Sequence, residues 1–96
     1  MRVLLNLEID TATGNELIAG GHMGTRMQEV LGALQPEAAY FYPRDGHRAF
    51  TLVVERADGA SLPALLEPFW STFGGRAEAV PCMSAEELAD GLSRMG

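Results

Sequence analysis

The chain has 96 residues, of which 47% are hydrophobic and 21% are charged, and its formal net charge at pH 7 is −6. This composition predicts one folded domain over residues 1–96 and excludes a disordered chain. The acidic balance argues against nucleic acid as a partner, because nucleic acid selects for basic surfaces.

The single cysteine, Cys82, excludes an internal disulfide and predicts a reducing compartment, the cytoplasm. The stretch "MRVLLNLEID" is apolar only up to Glu8, which is too short for a signal peptide or a membrane span. We therefore expect no membrane partner.

The first elements are predicted to be a strand and one long helix. Residues 2–9 alternate between apolar and polar side chains, which is typical of a strand. The helix is predicted over 16–35, with either a capping box of Thr13 and Glu16 or Asn15 as its N-cap. Its apolar side is formed by Met23, Met27, Val30, Leu31 and Leu34.

A β-hairpin is predicted next, with strands over 38–42 and 48–56. Asp45-Gly46 between them is a strong hairpin signal, because a type I′ turn needs positive φ at both central positions. A second turn is predicted at 57–61.

The second helix is predicted to have Ser61 as its N-cap and Pro63 at its first position. Pro68 is expected to kink or split this helix, and Gly74-Gly75 to end it. Its apolar side is formed by Leu62, Leu65, Leu66, Phe69 and Phe73.

A strand is predicted over 76–83, followed by a last short helix that begins with a capping box of Ser84 and Glu87. The order of elements is therefore β-α-β-β-α-β-α. Two split β-α-β units with right-handed crossovers place both main helices on one face of a four-stranded antiparallel sheet. The sequence therefore predicts a ferredoxin-like α+β sandwich.

Strand alternation assigns the hairpin residues to two faces of that sheet. The face toward the helices is predicted to hold Ala39, Phe41, Phe50, Leu52 and Val54. The open face is predicted to hold Leu4, Asn6, Glu8, Ala38, Tyr40, Tyr42, Ala49, Thr51 and Val53. A half-apolar open face with two tyrosines predicts a partner.

The chain resembles the dimeric α+β barrel superfamily, including small bacterial members without an assigned activity. The resemblance lies in the element order, the open sheet face and the stretches "PEAAYFYPRDGHRAFTLVVE" and "LEPFW". In that superfamily two ferredoxin-like sheets pair into a barrel. The resemblance implies a homodimer through the open face, and binding or transformation of a small apolar or aromatic molecule between helices and sheet. The alternative is a non-catalytic regulatory or accessory dimerisation domain.

Candidate catalytic residues are few, and whether the chain is an enzyme is left open. They are His22, because histidine titrates near neutrality, and Glu8, Tyr40 and Tyr42 on the open face. The alternative for His22 is a solvated helix face, and for Glu8 a dimer interface. The polar hairpin residues Arg44, Asp45 and His47 are interpreted as turn and solvent residues.

No metal or cofactor is expected. His22, His47 and Cys82 lack the spacing of metal ligands. The stretch "GGHMG" lies within a helical pattern instead of after a strand, which argues against a phosphate-binding loop.

Glycines on the apolar side of the first helix need an explanation, because each costs the helix roughly 1 kcal/mol relative to alanine. Three explanations remain: close packing at Gly20 and Gly24, a helix break at Gly20-Gly21, and a ligand pocket. The pocket would be lined by Gly20, Gly24, Met23, Met27, Phe41, Phe50 and Leu52.

Overall fold

The computed structural model describes residues 1–55 and 61–96, and in them it has an α+β fold of four antiparallel strands and four helices. The strands are β1 Arg2–Glu8, β2 Ala38–Arg44, β3 His47–Glu55 and β4 Arg76–Pro81. The helices are α1 Thr11–Ala19, α2 Met23–Leu34, α3 Leu62–Phe73 and α4 Ala85–Arg94. Arg56 and most of the turn predicted at 57–61 lie outside the described residues.

The strands form one sheet in the order β2-β3-β1-β4. β3 therefore lies between β1 and β2, and β1 lies between β3 and β4. Cross-strand pairs such as Leu5 with Leu52 put the apolar sides of the strands on the same face.

The core lies between that face and the helices. Its buried members are Val3, Leu5, Leu7, Ile9, Phe50, Leu52 and Val54 from the β1–β3 side, and Val30, Leu34, Leu65, Phe69 and Phe73 from α2 and α3. Phe50, Phe69 and Phe73 form an aromatic cluster with ring centroids 5.7 to 6.1 Å apart. Apolar burial of this kind is the main stabilising contribution to the fold.

The predicted helix over 16–35 is wrong in its start and in its continuity. Asp10 is the N-cap of α1, and its carboxylate accepts the backbone N–H of Thr13 at 3.0 Å. At the other end the N–H of His22 donates to Leu17 and that of Gly21 to Ile18, which is a Schellman motif. Gly21 has the positive φ of 74° that this motif requires, so the helix ends there and α2 starts anew at Met23.

The predicted hairpin is confirmed. Asp45 and Gly46 have φ values of 50° and 78°, and Arg44 pairs with His47 across a two-residue turn. β2 runs two residues beyond its predicted end, because the short turn keeps the strands paired up to it.

α3 is one continuous helix with Pro68 inside it, so Pro68 does not split the helix, and the alternative of a kink stays a prediction. Gly74 ends it with a φ of 61°, as predicted. Leu62, assigned to the apolar side, is exposed at the first turn, and Trp70 is exposed as well.

α4 extends away from the core. Its capping box of Ser84 and Glu87 is confirmed, yet none of its residues is buried. The radius of gyration is 15.4 Å, whereas a compact chain of this length would have about 12.5 Å. No helix in the described part of the chain is long and apolar enough to cross a membrane.

Both outer strands of the sheet carry a proline, Pro43 in β2 and Pro81 in β4. The carbonyl of Arg48, which pairs with Pro43, accepts the N–H of Ile9 at 2.9 Å and so faces the first strand. Because antiparallel pairs alternate in this way, the nitrogen of Pro43 faces the free edge. The bond from the N–H of Cys82 to the carbonyl of Arg2 orients Pro81 outward in the same way.

Candidate functional site

A groove of about 710 Å³ opens between the α1–α2 break and the β2–β3 hairpin. Most of its walls are apolar, and they include Ile9, Ile18, Met23, Met27, Phe41 and Phe50. Its polar lining residues are Thr11 and Asn15 from α1, and Tyr42, His47 and Arg48 from the hairpin. Its size and its mixture of an apolar body with a few polar groups are typical of small-molecule sites.

The groove exists because the helices leave part of the sheet uncovered. Phe41 has its side chain on the helix side and stacks on Phe50 at a centroid distance of 5.4 Å, yet it is 53% exposed. Ile18, on α1 across the groove, is 55% exposed. α1 ends at Ala19, one residue after Ile18, and Phe41 stays exposed on the other side of the groove.

The polar end of the groove is built around Arg48. Gly14 of α1 is buried, and a Cβ there would stand 2.7 Å from Nη1 of Arg48. Nη2 of Arg48 donates a hydrogen bond to Oδ1 of Asn15 at 3.1 Å. The absent side chain at position 14 therefore makes room for the guanidinium, and Asn15 orients it.

The open sheet face carries a chain of hydrogen bonds across all four strands. Oγ1 of Thr51 donates to Oδ1 of Asn6 at 3.0 Å, and Nδ2 of Asn6 donates to Oε1 of Glu78 at 3.0 Å. The hydroxyl of Tyr42 is hydrogen-bonded to that of Thr51. Because the proton of Thr51 is already directed to Asn6, Tyr42 is the donor in this last bond.

The four predicted catalytic candidates do not come together. His22 is exposed where α2 begins, on the helix side, whereas the other three lie on the open face. Tyr40 is 68% exposed, and Oε2 of Glu8 lies 3.9 Å from Nη1 of Arg76. Their catalytic roles stay predictions.

Four of the seven predicted pocket residues line the groove: Met23, Met27, Phe41 and Phe50. Leu52 is fully buried and is not among the lining residues. Gly20 and Gly24 are exposed, and a Cβ at Gly24 would meet nothing within 4 Å beyond its own helix. A Cβ at Gly20 would lie 2.9 Å from Cδ2 of His22, so Gly20 belongs to the helix break at Gly21. Nothing in the structure explains Gly24.

Shifted pKa values occur at two helix caps and at one surface ion pair. The N–H and the hydroxyl of Thr13 lower the pKa of Asp10, and the N–H and hydroxyl of Ser84 lower that of Glu87. The hydrogen bond to Glu37 raises the pKa of Arg2. Among the described residues, no three His, Cys, Asp or Glu side chains lie together as metal ligands.

The sequence reasoning missed Arg48 and its neighbours on α1. A signal was present, because Arg48 precedes Phe50 by two residues and therefore shares its side of β3. An arginine on the side that faces the helices needs room and a partner. Gly14 provides the room and Asn15 is the partner. Both lie on a helix only because α1 begins at Thr11, whereas the predicted helix began at residue 16.

No protein-family model matches the sequence, and no curated protein matches it. Among solved structures, the chain is similar to a de novo designed protein, Ferredog-Diesel. The sequence identity is 12%, the likeness covers 84% of this chain and 85% of the designed chain, and the TM-score is 0.47.

Proposed function

We propose that this protein binds a small apolar or aromatic molecule in the groove between α1, α2 and the β2–β3 hairpin. The observation that carries the proposal is the exposed aromatic floor. Phe41 and Ile18 face a concavity of about 710 Å³ and remain more than half exposed. A ligand that fills the groove would bury both side chains, and each fully buried side chain of this size contributes about 1.5–3 kcal/mol.

We further propose a ferredoxin-like domain of the dimeric α+β barrel type. Two features support this assignment. The strands of the first β-α-β unit, β1 and β2, are separated in the sheet by β3. The strands of the second unit, β3 and β4, are separated by β1. The core residues of the helices all pack on one face of the sheet.

Homodimerisation through the open face is part of the proposal. An apolar row crosses this face, because Ala38 pairs with Val53, Val53 with Leu4, and Leu4 with Val80. Tyr40 stands beside it and is 68% exposed. A row of this kind in a monomer would face water, whereas a second copy would bury it. The cytoplasm remains the proposed location, supported by the single cysteine.

The binding proposal is tested by titrating ¹³C-methyl-methionine protein with the neutral aromatic probes indole and 2-naphthol. The methyl signals of Met23 and Met27 in the groove should shift with saturation, while those of Met83 and Met95 near α4 should not. Ile18→Glu should weaken binding by at least tenfold, because it brings a charge into the apolar wall. Uniform shifts at all methionines, or none up to the solubility limit of the probes, would contradict the proposal.

The second candidate function, an accessory dimerisation domain without a ligand, is favoured by one observation. The polar groups of the open face are engaged with one another, from Tyr42 to Glu78, instead of being directed at a substrate. The methionine titration separates the two functions, because a dimerisation domain without a ligand should show no saturable shift at Met23 and Met27. Sedimentation equilibrium tests the dimer that both functions share. Tyr40→Glu should dissociate the dimer, whereas Ile18→Glu on the helix side should leave it intact. A monomer at high micromolar concentration would contradict dimerisation in either function.

A further inference from the structure

We propose that the ligand of the groove is a carboxylic acid, with its apolar or aromatic part over Phe41 and its carboxylate on Arg48. This inference rests on the proposed function and names the class of molecule that the groove takes. It comes from three observations: the space made for the guanidinium, its lack of a carboxylate partner, and its position at the end of an apolar wall.

The guanidinium of Arg48 has a built position. Residue 14 lacks a side chain where Nη1 lies, since a Cβ there would be 2.7 Å away. The bond of Nη2 to Asn15, at 3.1 Å, fixes the plane of the guanidinium and adds no negative charge. A planar donor group held in this way is suited to the two oxygens of a carboxylate.

The charge of Arg48 is not neutralised within the described part of the chain. Four other arginines each have a carboxylate within 4 Å: Arg2 has Glu37, Arg26 has Glu29, Arg76 has Glu8 and Arg94 has Asp90. Arg48 has an amide oxygen instead. Among the described residues Arg44 also has no carboxylate within 4 Å, but its side chain lies on the opposite face of the sheet. Arg48 is the arginine that lines the groove, where an acidic ligand would complete it.

A carboxylate fits better than a phosphate group. Arg48 supplies one positive charge, and the hydroxyl and amide groups of Thr11, Asn15 and Tyr42 in the lining add none. A doubly charged group would remain half neutralised in a protein with a net charge of −6. The rest of the groove, from Ile18 to Met27, offers only apolar contact to the ligand body.

The test compares each acid with its uncharged amide: phenylacetate with phenylacetamide, 3-phenylpropionate with 3-phenylpropanamide, and octanoate with octanamide. Dissociation constants are read from the methyl shifts of Met23 and Met27. The acid of the best-binding pair should bind about tenfold more tightly than its amide. That ratio is at the lower end for hydrogen bonds to a charged group, because the guanidinium is open to solvent.

Two arginine variants assign the effect. Arg48→Gln should remove the preference for the acid, so that the acid and its amide bind with the same affinity. Arg44→Gln is the matched control, because Arg44 carries the same charge in the same hairpin but has its side chain on the opposite face of the sheet. It should keep the full preference.

A third variant acts without touching the charge. In Gly14→Ala the new methyl group lies where Nη1 now is, and the flexible arginine must move away. The variant should therefore fold with an unchanged methionine spectrum and lose most of the preference for the acid. Thermal unfolding of each variant shows that it is folded.

The outcomes separate this inference from the proposed function. Amides that bind in the groove as tightly as their acids would overturn the inference and leave the proposed function standing. Acids and amides that both fail to bind would overturn both. If the methyl shifts of Met23 and Met27 depended on protein concentration alone, the groove would be assigned to a second copy of the chain. That result would also overturn both the inference and the proposed function.

Discussion

A Cβ added to Gly75 would stand 1.7 Å from the carbonyl oxygen of Glu8 and 2.8 Å from the nitrogen of Asp10. The chain just before β4 thus lies directly on the backbone at the end of β1, and no rotamer change relieves such a clash. We expect Gly75→Ala to lower the free energy of unfolding by at least about 3 kcal/mol. Urea denaturation measures this loss, and a change below about 1 kcal/mol would contradict the close approach.

Gly24→Ala should have the opposite sign. Gly24 lies inside α2, and a methyl group there meets nothing within 4 Å. We expect a gain of about 0.5–1 kcal/mol in the free energy of unfolding, because alanine has the higher helix propensity. Gly21→Ala is the control: its φ of 74° disfavours alanine, so the same assay should show a loss of about 1–2 kcal/mol.

Two stacked phenylalanines should differ sharply in their contribution to stability. Phe50 is fully buried, so Phe50→Ala should cost about 3–5 kcal/mol. Phe41 is half exposed, and Phe41→Ala should cost less than half of that amount in the same chemical denaturation series. Equal losses would mean that Phe41 is covered in solution, by a second chain or by the helices, and that the groove is closed.

The hydrogen-bond chain on the open face should be measurable through Thr51. Thr51→Val keeps the shape but leaves the hydroxyl of Tyr42 and the amide oxygen of Asn6 without this partner. We expect a loss of about 1–2 kcal/mol in the free energy of unfolding. Thr25→Val on the exposed side of α2 is the matched control and should change the stability by less than about 0.5 kcal/mol.

The capping box of α4 should make this helix sensitive to acid. The N–H and hydroxyl of Ser84, and the charge of Arg2, lower the pKa of Glu87 in the folded chain. A lowered pKa stabilises the helix above the pKa of an unfolded glutamate, about 4.3, and this stabilisation is lost as the pH falls through the folded value. Backbone amide shifts of 85–94 should therefore show α4 losing helix as the pH is lowered through and below about 4. Ser84→Ala should reduce the helix content at pH 6 and weaken its pH dependence; an unchanged helix would contradict the role of the cap.

Local signals predicted much of the fold. The hairpin at Asp45-Gly46, the capping box at Ser84 and the end of α3 at Gly74 each depend on a few neighbouring residues, and each is confirmed. Competition between local signals explains the failures. Asp10, Thr13 and Asn15 are all residue types that cap helices, and Asp10 is the one that caps α1 because its carboxylate reaches the N–H of Thr13.

The candidate site was less predictable, because it depends on what the helices leave uncovered. Alternation along β2 correctly assigned Phe41 to the helix side, but only the position of the α1–α2 break decides that it stays exposed. The space for Arg48 likewise requires the exact register of Gly14 on α1. Neither relationship is encoded within a single element of the sequence.

The outward-facing prolines of the two edge strands restrict how copies of this protein can associate. A strand added alongside β2 or β4 would find no N–H donor at Pro43 or Pro81, so the sheet cannot grow in register past either edge without a missing bond. Fibrillar stacking by edge-to-edge addition is disfavoured at the same two points. A chain with such blocked edges can expose a half-apolar face for pairing and still resist open-ended polymerisation.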